Sequence, residues 1–154
     1  MVNAKSLPEQ LLWEVRAFVY RTFAETTRAP SVDDTAAALA LTREEAATVF
    51  EALHNRHAFF LAPGTHDILM ANPFSNVETR FHVYTNGKTY FANCAWDSLG
   101  ISATLHCDAN VEAVCAQSRK SITLQVQDGQ ISESDVLVHF LVPFAHWYDD
   151  LVFT

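Results

Sequence analysis

A chain of 154 residues with 49% apolar and 18% charged side chains has the composition of one ordinary folded domain, which excludes a disordered chain and leaves no room for two large independent domains. Eighteen acidic against ten basic residues give a net charge of −8, which opposes extended contact with a phosphate backbone, so no nucleic acid partner is expected. No run is long and apolar enough to span a bilayer, and the N-terminus lacks an apolar core ahead of a cleavage site, so the expectation is a cytoplasmic protein with no membrane partner.

The first third of the sequence has helical periodicity. Ser6, with Glu9 three residues on, is positioned to cap a helix carrying Leu11, Val15, Phe18, Val19 and Phe23 on one face, and Ala29-Pro30 ends it. Ser31 with Asp34 opens a short alanine-rich helix, and Thr42 with Glu45 opens a third, which places Ala46, Val49, Phe50 and Leu53 together. Two apolar runs around Pro63-Gly64 then suggest a hairpin, so that residues 1–72 read as a three-helix, winged-helix-like region. The third helix carries Arg43, Glu44, Glu45 and Glu51 on its early turns, a poor surface for reading DNA.

From Phe81 the period becomes two. Strands flank the turn Asn86-Gly87, and ISATL, VEAVC, SITLQVQ and DVLVHFLV are read as further strands, with Asp128-Gly129 as another turn. The fold class expected is therefore α+β, with residues 73–154 forming a mostly antiparallel β-sheet core. FAHWYDDLVFT is too apolar to dangle and should dock with its final residues approaching the Cys94 pocket, bringing Asp149 or Asp150 near it, so that Trp96, Trp147, Asp149 and Asp150 are the candidate pocket residues.

Three cysteines without a secretion signal argue against a disulfide framework and leave each thiol as a small buried hydrophobe or as a reactive or metal-binding group. Cys94 and Asp97 stand out. They lie in YFANCAWDSLG, where strand alternation gives way to a turn or short helix, and a separation of three places both on one helical face. A thiolate holds a soft metal, and a carboxyl in an apolar setting carries or accepts a proton. The plainer alternative is a buried cysteine beside an aspartate that caps a short helix through the amides of Ser98 and Leu99. Zinc fits less well, because the cysteines lack the close pairing of a structural site; His82, His106, His139 and His146 are scattered.

The segment FANCAWDSLGISATL resembles the cysteine-alanine-x-aspartate motif of the alkylmercury lyase (organomercurial lyase) family. The resemblance extends to Cys115, followed by AQSRKSITLQVQDGQI, to HWYDDLVFT, and to the N-terminal helices. It implies a sheet core of the alkylmercury lyase type, with Cys94 as the thiolate that binds mercury, Asp97 as the group that moves a proton, and Cys115 as a largely structural cysteine. The implied reaction is protonolysis of a carbon–mercury bond, with a small organomercurial or other soft-metal compound as partner and no cofactor. The family's second catalytic cysteine is expected just after DDLVFT, where this sequence stops, and Cys107 is not at the matching place. The expectation is thus a carbon–mercury lyase homologue with an incomplete catalytic set, truncated and weakly active, with Cys94 the most reactive of its three thiols. Two alternatives stand beside it: a non-catalytic soft-metal or thiol-reactive binding protein on the same scaffold, and a winged-helix regulatory module.

Overall fold

The structure is a computed structural model that describes residues 7–132, 134–140 and 142–147. Three helices come first: α1 (Glu9–Thr26), α2 (Val32–Leu39) and α3 (Arg43–Asn55). The sequence sets their starts. At α2, Ser31 Oγ accepts the Asp34 amide at 3.0 Å, and the Asp34 carboxylate accepts the Ser31 amide at 2.9 Å. At α3, Thr42 and Glu45 repeat the exchange at 3.1 and 2.8 Å. Each box satisfies amides that the first helical turn leaves unpaired. The carboxyls of Asp34 and Glu45, hydrogen-bonded and exposed, are held below their usual range.

The expected Ser6 cap is not the one used. Helix α1 starts at Glu9 behind Pro8 with no side-chain cap, and Ser6 lies outside the described residues. Its buried stripe is Leu12, Val15, Val19 and Phe23, with Leu12 in place of Leu11. The stripe of α3 is the one the sequence indicates: Ala46, Val49, Phe50 and Leu53.

The strands are β1 (Phe60–Leu61), β2 (Ile68–Ala71), β3 (Phe74–Ser75), β4 (Phe81–Thr85), β5 (Lys88–Ala92), β6 (Ala109–Val114), β7 (Ser121–Gln127) and β8 (Gln130–Ile131). They form one sheet in the order β1-β2-β3-β5-β4-β6-β7-β8, and every neighbouring pair is antiparallel. The β4–β5 turn has positive φ at both Asn86 and Gly87, as a two-residue hairpin of this twist requires, and Asp128-Gly129 repeats the geometry between β7 and β8. The hairpin after α3 is β1–β2, and the sheet continues from it without interruption into β3.

Two strand expectations are corrected. ISATL belongs to α4 (Ala95–Leu105), because Ser98, Ile101 and Ser102 are its buried positions, a spacing of three and four rather than two. The β-branched residues of that stretch carry β propensity, but a capped helix start at Cys94 outweighs it. DVLVHFLV forms no ladder among its described residues, 135–140 and 142. Leu137 is 89% exposed there and Val136, Val138 and Phe140 are all exposed, so that segment finds no face on which to alternate.

Helix α1 packs across the sheet through a shared aromatic core. Phe23 stacks on Phe74 at 5.3 Å, Phe74 leans on Tyr90 at 5.7 Å, and Tyr90 Oη donates to the Ala24 carbonyl at 2.6 Å. Gly100 lets α4 approach the segment before β3: a Cβ there would lie 3.2 Å from Pro73 Cβ. Phe74 is fully buried where α1, β3 and β5 meet, so Phe74→Ala should cost about 3–5 kcal/mol of unfolding free energy. Urea denaturation monitored by circular dichroism measures that loss.

Candidate functional site

Cys94 is the residue that starts α4. It has extended backbone dihedrals, and its sulfur accepts the Asp97 amide at 3.4 Å, so a thiol occupies the place that Ser31 and Thr42 hold at α2 and α3. The same sulfur donates its proton toward Asp97 Oδ2 at 3.4 Å. The aspartate is therefore held by the cysteine; it is not the cap through Ser98 and Leu99 that the plainer reading requires. Ser98 Oγ instead donates back to the Ala95 carbonyl at 2.6 Å.

Unlike the two exposed boxes, this one is partly enclosed. Burial pushes the Asp97 carboxyl above its ordinary range, with the hydrogen bonds from Cys94 and Asn93 opposing the shift. Burial, reinforced by the nearby carboxyl charge, pushes the Cys94 thiol up to about 11. The resting pair thus favours a thiol that keeps its proton and points it at a carboxyl.

Residues that sequence reasoning passed over surround the pair. Asn93 Nδ2 donates to Asn72 Oδ1 at 2.9 Å and to the Phe74 carbonyl at 3.3 Å. Tyr20, from α1, donates to the carbonyls of Ala58 at 3.0 Å and Asn72 at 3.2 Å. Burial raises the Tyr20 phenol, the Arg16 guanidinium opposes that rise, and the Asp97 carboxyl adds to it. The available signal was the i, i+3, i+7 stripe of Trp13, Arg16 and Tyr20 on α1, a polar and aromatic interruption of an apolar helix.

Of the other expected site residues, Trp96 sits in the first turn of α4 and is 60% exposed. Its ring lies 6.4 Å from Phe140, which stacks on Trp147 at 5.2 Å, and Trp147 Nε1 donates to the Val142 carbonyl at 3.0 Å. The structure therefore joins Trp147 to Trp96 through Phe140. Asp149 and Asp150 lie outside the described residues.

The other thiols stand elsewhere. Cys107 follows the far end of α4, roughly 16 Å along the axis from Cys94. Thr85 Oγ1 gives its single proton to the Asp108 carbonyl at 2.6 Å, so in its 3.0 Å contact with Cys107 the thiol is the donor. Cys115 is at the β6–β7 turn, where the Ser118 side chain and amide, the Gln117 amide and the Lys120 charge pull its pKa down. Acidity thus favours Cys115 over Cys94 for reagents that need thiolate, whereas Cys94 remains the thiol expected to take a soft metal. No group of three His, Cys, Asp or Glu able to hold a metal occurs among the described residues. Two depressions lie away from the pair, one of about 430 Å³ against the β4–β5 turn and one of about 420 Å³ beside Cys107.

A helical layer on an antiparallel sheet thus holds a soft sulfur and a protonatable carboxyl together at one helix start. The sequence model of alkylmercury lyase, MerB, matches residues 74–153, and the chain belongs to that family. Its fold is similar to the crystal structure of the mercury-bound form of MerB2, with a TM-score of 0.65 at 20% identity over 84% of this chain. The chain spans 62% of the length of that structure. A comparison with curated proteins finds no match. Among the described residues no helix is long and apolar enough to cross a membrane.

Two outcomes follow from the acidities. Iodoacetamide at neutral pH should alkylate Cys115 ahead of Cys94, as read by peptide mass mapping. Because the folded-state pKa of Cys94 lies above its ordinary 9, the fold favours the protonated thiol, and stability falls as pH rises from about 9 to about 11. Cys94→Ala should flatten that part of the urea-midpoint profile, whereas identical profiles would show that the thiol is not protonated by burial.

Proposed function

We propose that this chain carries an organomercurial lyase site in which Cys94 takes the metal and Asp97 moves the proton. The reading rests on the family membership and, above all, on the Cys94 Sγ–Asp97 Oδ2 contact of 3.4 Å inside the matched segment. Mercury arrives as R–Hg–SR′. The Cys94 sulfur displaces the carrier thiolate, and the thiol proton passes to Asp97 across that contact while R′S⁻ departs and takes a proton from water.

Asp97 then gives its proton to the carbon of R. The carbon–mercury bond breaks, a carbon–hydrogen bond forms as RH, and Hg(II) stays on Cys94. Carbon is a poor proton acceptor, so the acid must be held against it, and soft sulfur on the metal raises electron density at carbon. Thiols from solution supply the further sulfur: two R′SH remove mercury as Hg(SR′)₂, one proton restoring the Cys94 thiol and the other balancing the thiolate released at the start. The net change is R–Hg–SR′ + R′SH → RH + Hg(SR′)₂.

A binding protein without turnover is the second reading. It draws on the single thiol at this site among the described residues, because one sulfur polarises the bond less than two. Benzene release from phenylmercury under excess thiol separates the readings. The lyase gives hydrocarbon at a rate that rises with thiol, and the binder gives stoichiometric capture alone.

Asp97→Asn should keep phenylmercury capture and lose benzene release by about 10²-fold or more, and Cys94→Ala should lose both. Parent-rate release by Asp97→Asn would remove the aspartate from the reaction.

A further inference from the structure

We propose that Arg16, on α1, is the anion-binding end of this site and takes a carboxylate carried by the organic group of a mercurial held on Cys94. The proposal rests on Cys94 as the mercury-binding thiol. Arg16 is held by two rings and a hydrogen bond to the Tyr20 phenol, not by an acid: its guanidinium carbon lies 5.1 Å from the Trp13 ring centre and 5.2 Å from that of Tyr20. Its Nε is buried with no hydrogen-bond partner, and none of the ion pairs among the described residues includes it. In a chain of net charge −8, an arginine left without a carboxylate is an expensive arrangement unless something else supplies one.

The second buried side-chain atom without a partner is Asn93 Oδ1. The two belong to one run of contacts. Arg16 lies over Tyr20, Tyr20 Oη bonds the Asn72 carbonyl, Asn72 Oδ1 accepts from Asn93 Nδ2, and Asn93 immediately precedes Cys94. The Tyr20 phenol responds to the charges of both Arg16 and Asp97, so both lie within electrostatic reach of it. Of the two, the Arg16 Nε–H donor is the one a carboxylate would pair; Asn93 Oδ1, an acceptor, would take a donor instead.

The ligand class follows from charge and lifetime. Guanidinium matches the planar carboxylate with two parallel hydrogen bonds, and the acidic surface of the chain disfavours anions of higher charge. A carboxylate on the carrier thiol departs when Cys94 displaces it, whereas one on the organic group remains until the carbon–mercury bond breaks. The organic group is therefore the source assigned to Arg16.

The test uses the full chain with Cys107→Ser, Cys115→Ser and Asp97→Asn, so that Cys94 is the one thiol and the organic group stays on the mercury. Phenylmercury and 4-carboxyphenylmercury are each loaded, then challenged with rising 2-mercaptoethanol, and the mercury retained is read by intact mass. The carboxylated compound should survive about tenfold more thiol than phenylmercury, a ratio worth about 1.4 kcal/mol. Arg16→Gln should bring the ratio close to one, and Arg16→Lys should keep part of it, which a general loss of folding would not do. In a second arm, phenylmercury is delivered from 3-mercaptopropionate or from 2-mercaptoethanol; an Arg16-dependent preference confined to that arm overturns the organic group as the source. Equal retention of the two mercurials by the chain with Arg16 overturns the subsite, and failure of both to occupy Cys94 overturns the metal-binding role of the cysteine itself.

Discussion

The start of α4 depends on one weak contact, the sulfur of Cys94 accepting the amide of Asp97. Ser31–Asp34 and Thr42–Glu45 perform the same task with oxygen at the surface, where their carboxyls are held below the ordinary range. At Cys94–Asp97 the spacing is identical and the environment opposite, and the carboxyl is held above it. A helix-capping geometry thus does double service: it terminates the β5 strand, begins α4, and leaves a thiol proton aimed at a carboxyl. Nothing in the spacing of three distinguishes these cases. Enclosure does, and it comes from α1 and from the segment before β3.

A thiol with a pKa near 11 is about one part in ten thousand thiolate at neutral pH, which makes it a poor nucleophile toward ordinary electrophiles. Mercury is different in kind, because its affinity for sulfur displaces the proton instead of waiting for it to leave. Burial beside Asp97 therefore selects among reagents: it suppresses those that need pre-formed thiolate and leaves open those that can exchange a metal for a proton. Cys115, at an open turn with amide donors and Lys120 nearby, has the opposite character. The two sulfurs differ both in burial and in what surrounds their charge.

Much of the fold was legible because the deciding residues act locally. The capping pairs at α2 and α3, the buried stripe of α3 and the two hairpin turns at Asn86-Gly87 and Asp128-Gly129 each depend on neighbours within a few positions. ISATL misled because Ile101 and Thr104 favour strands in isolation, while the burial of Ser98, Ile101 and Ser102 is decided by what α4 packs against. DVLVHFLV misled for the converse reason, since alternation predicts a strand only where a sheet offers a free partner. At the site, Cys94 and Asp97 were visible as unlike residues in an apolar run. Arg16, Tyr20, Asn72 and Asn93 were not, because their significance lies in contacts across as many as 52 positions of chain, as between Tyr20 and Asn72.

That long-range bond has a consequence for how such chains can be recombined. The family match begins at Phe74, yet Tyr20 and Asn72 lie before it, and the side chain that braces Asn93 comes from Asn72. A segment exchanged between relatives at that boundary would carry the thiol and the carboxyl together but separate them from the helix whose phenol reaches Asn72. The motif and part of its enclosure thus lie on opposite sides of that boundary, and the N-terminal helices brace a site whose sulfur they do not contain.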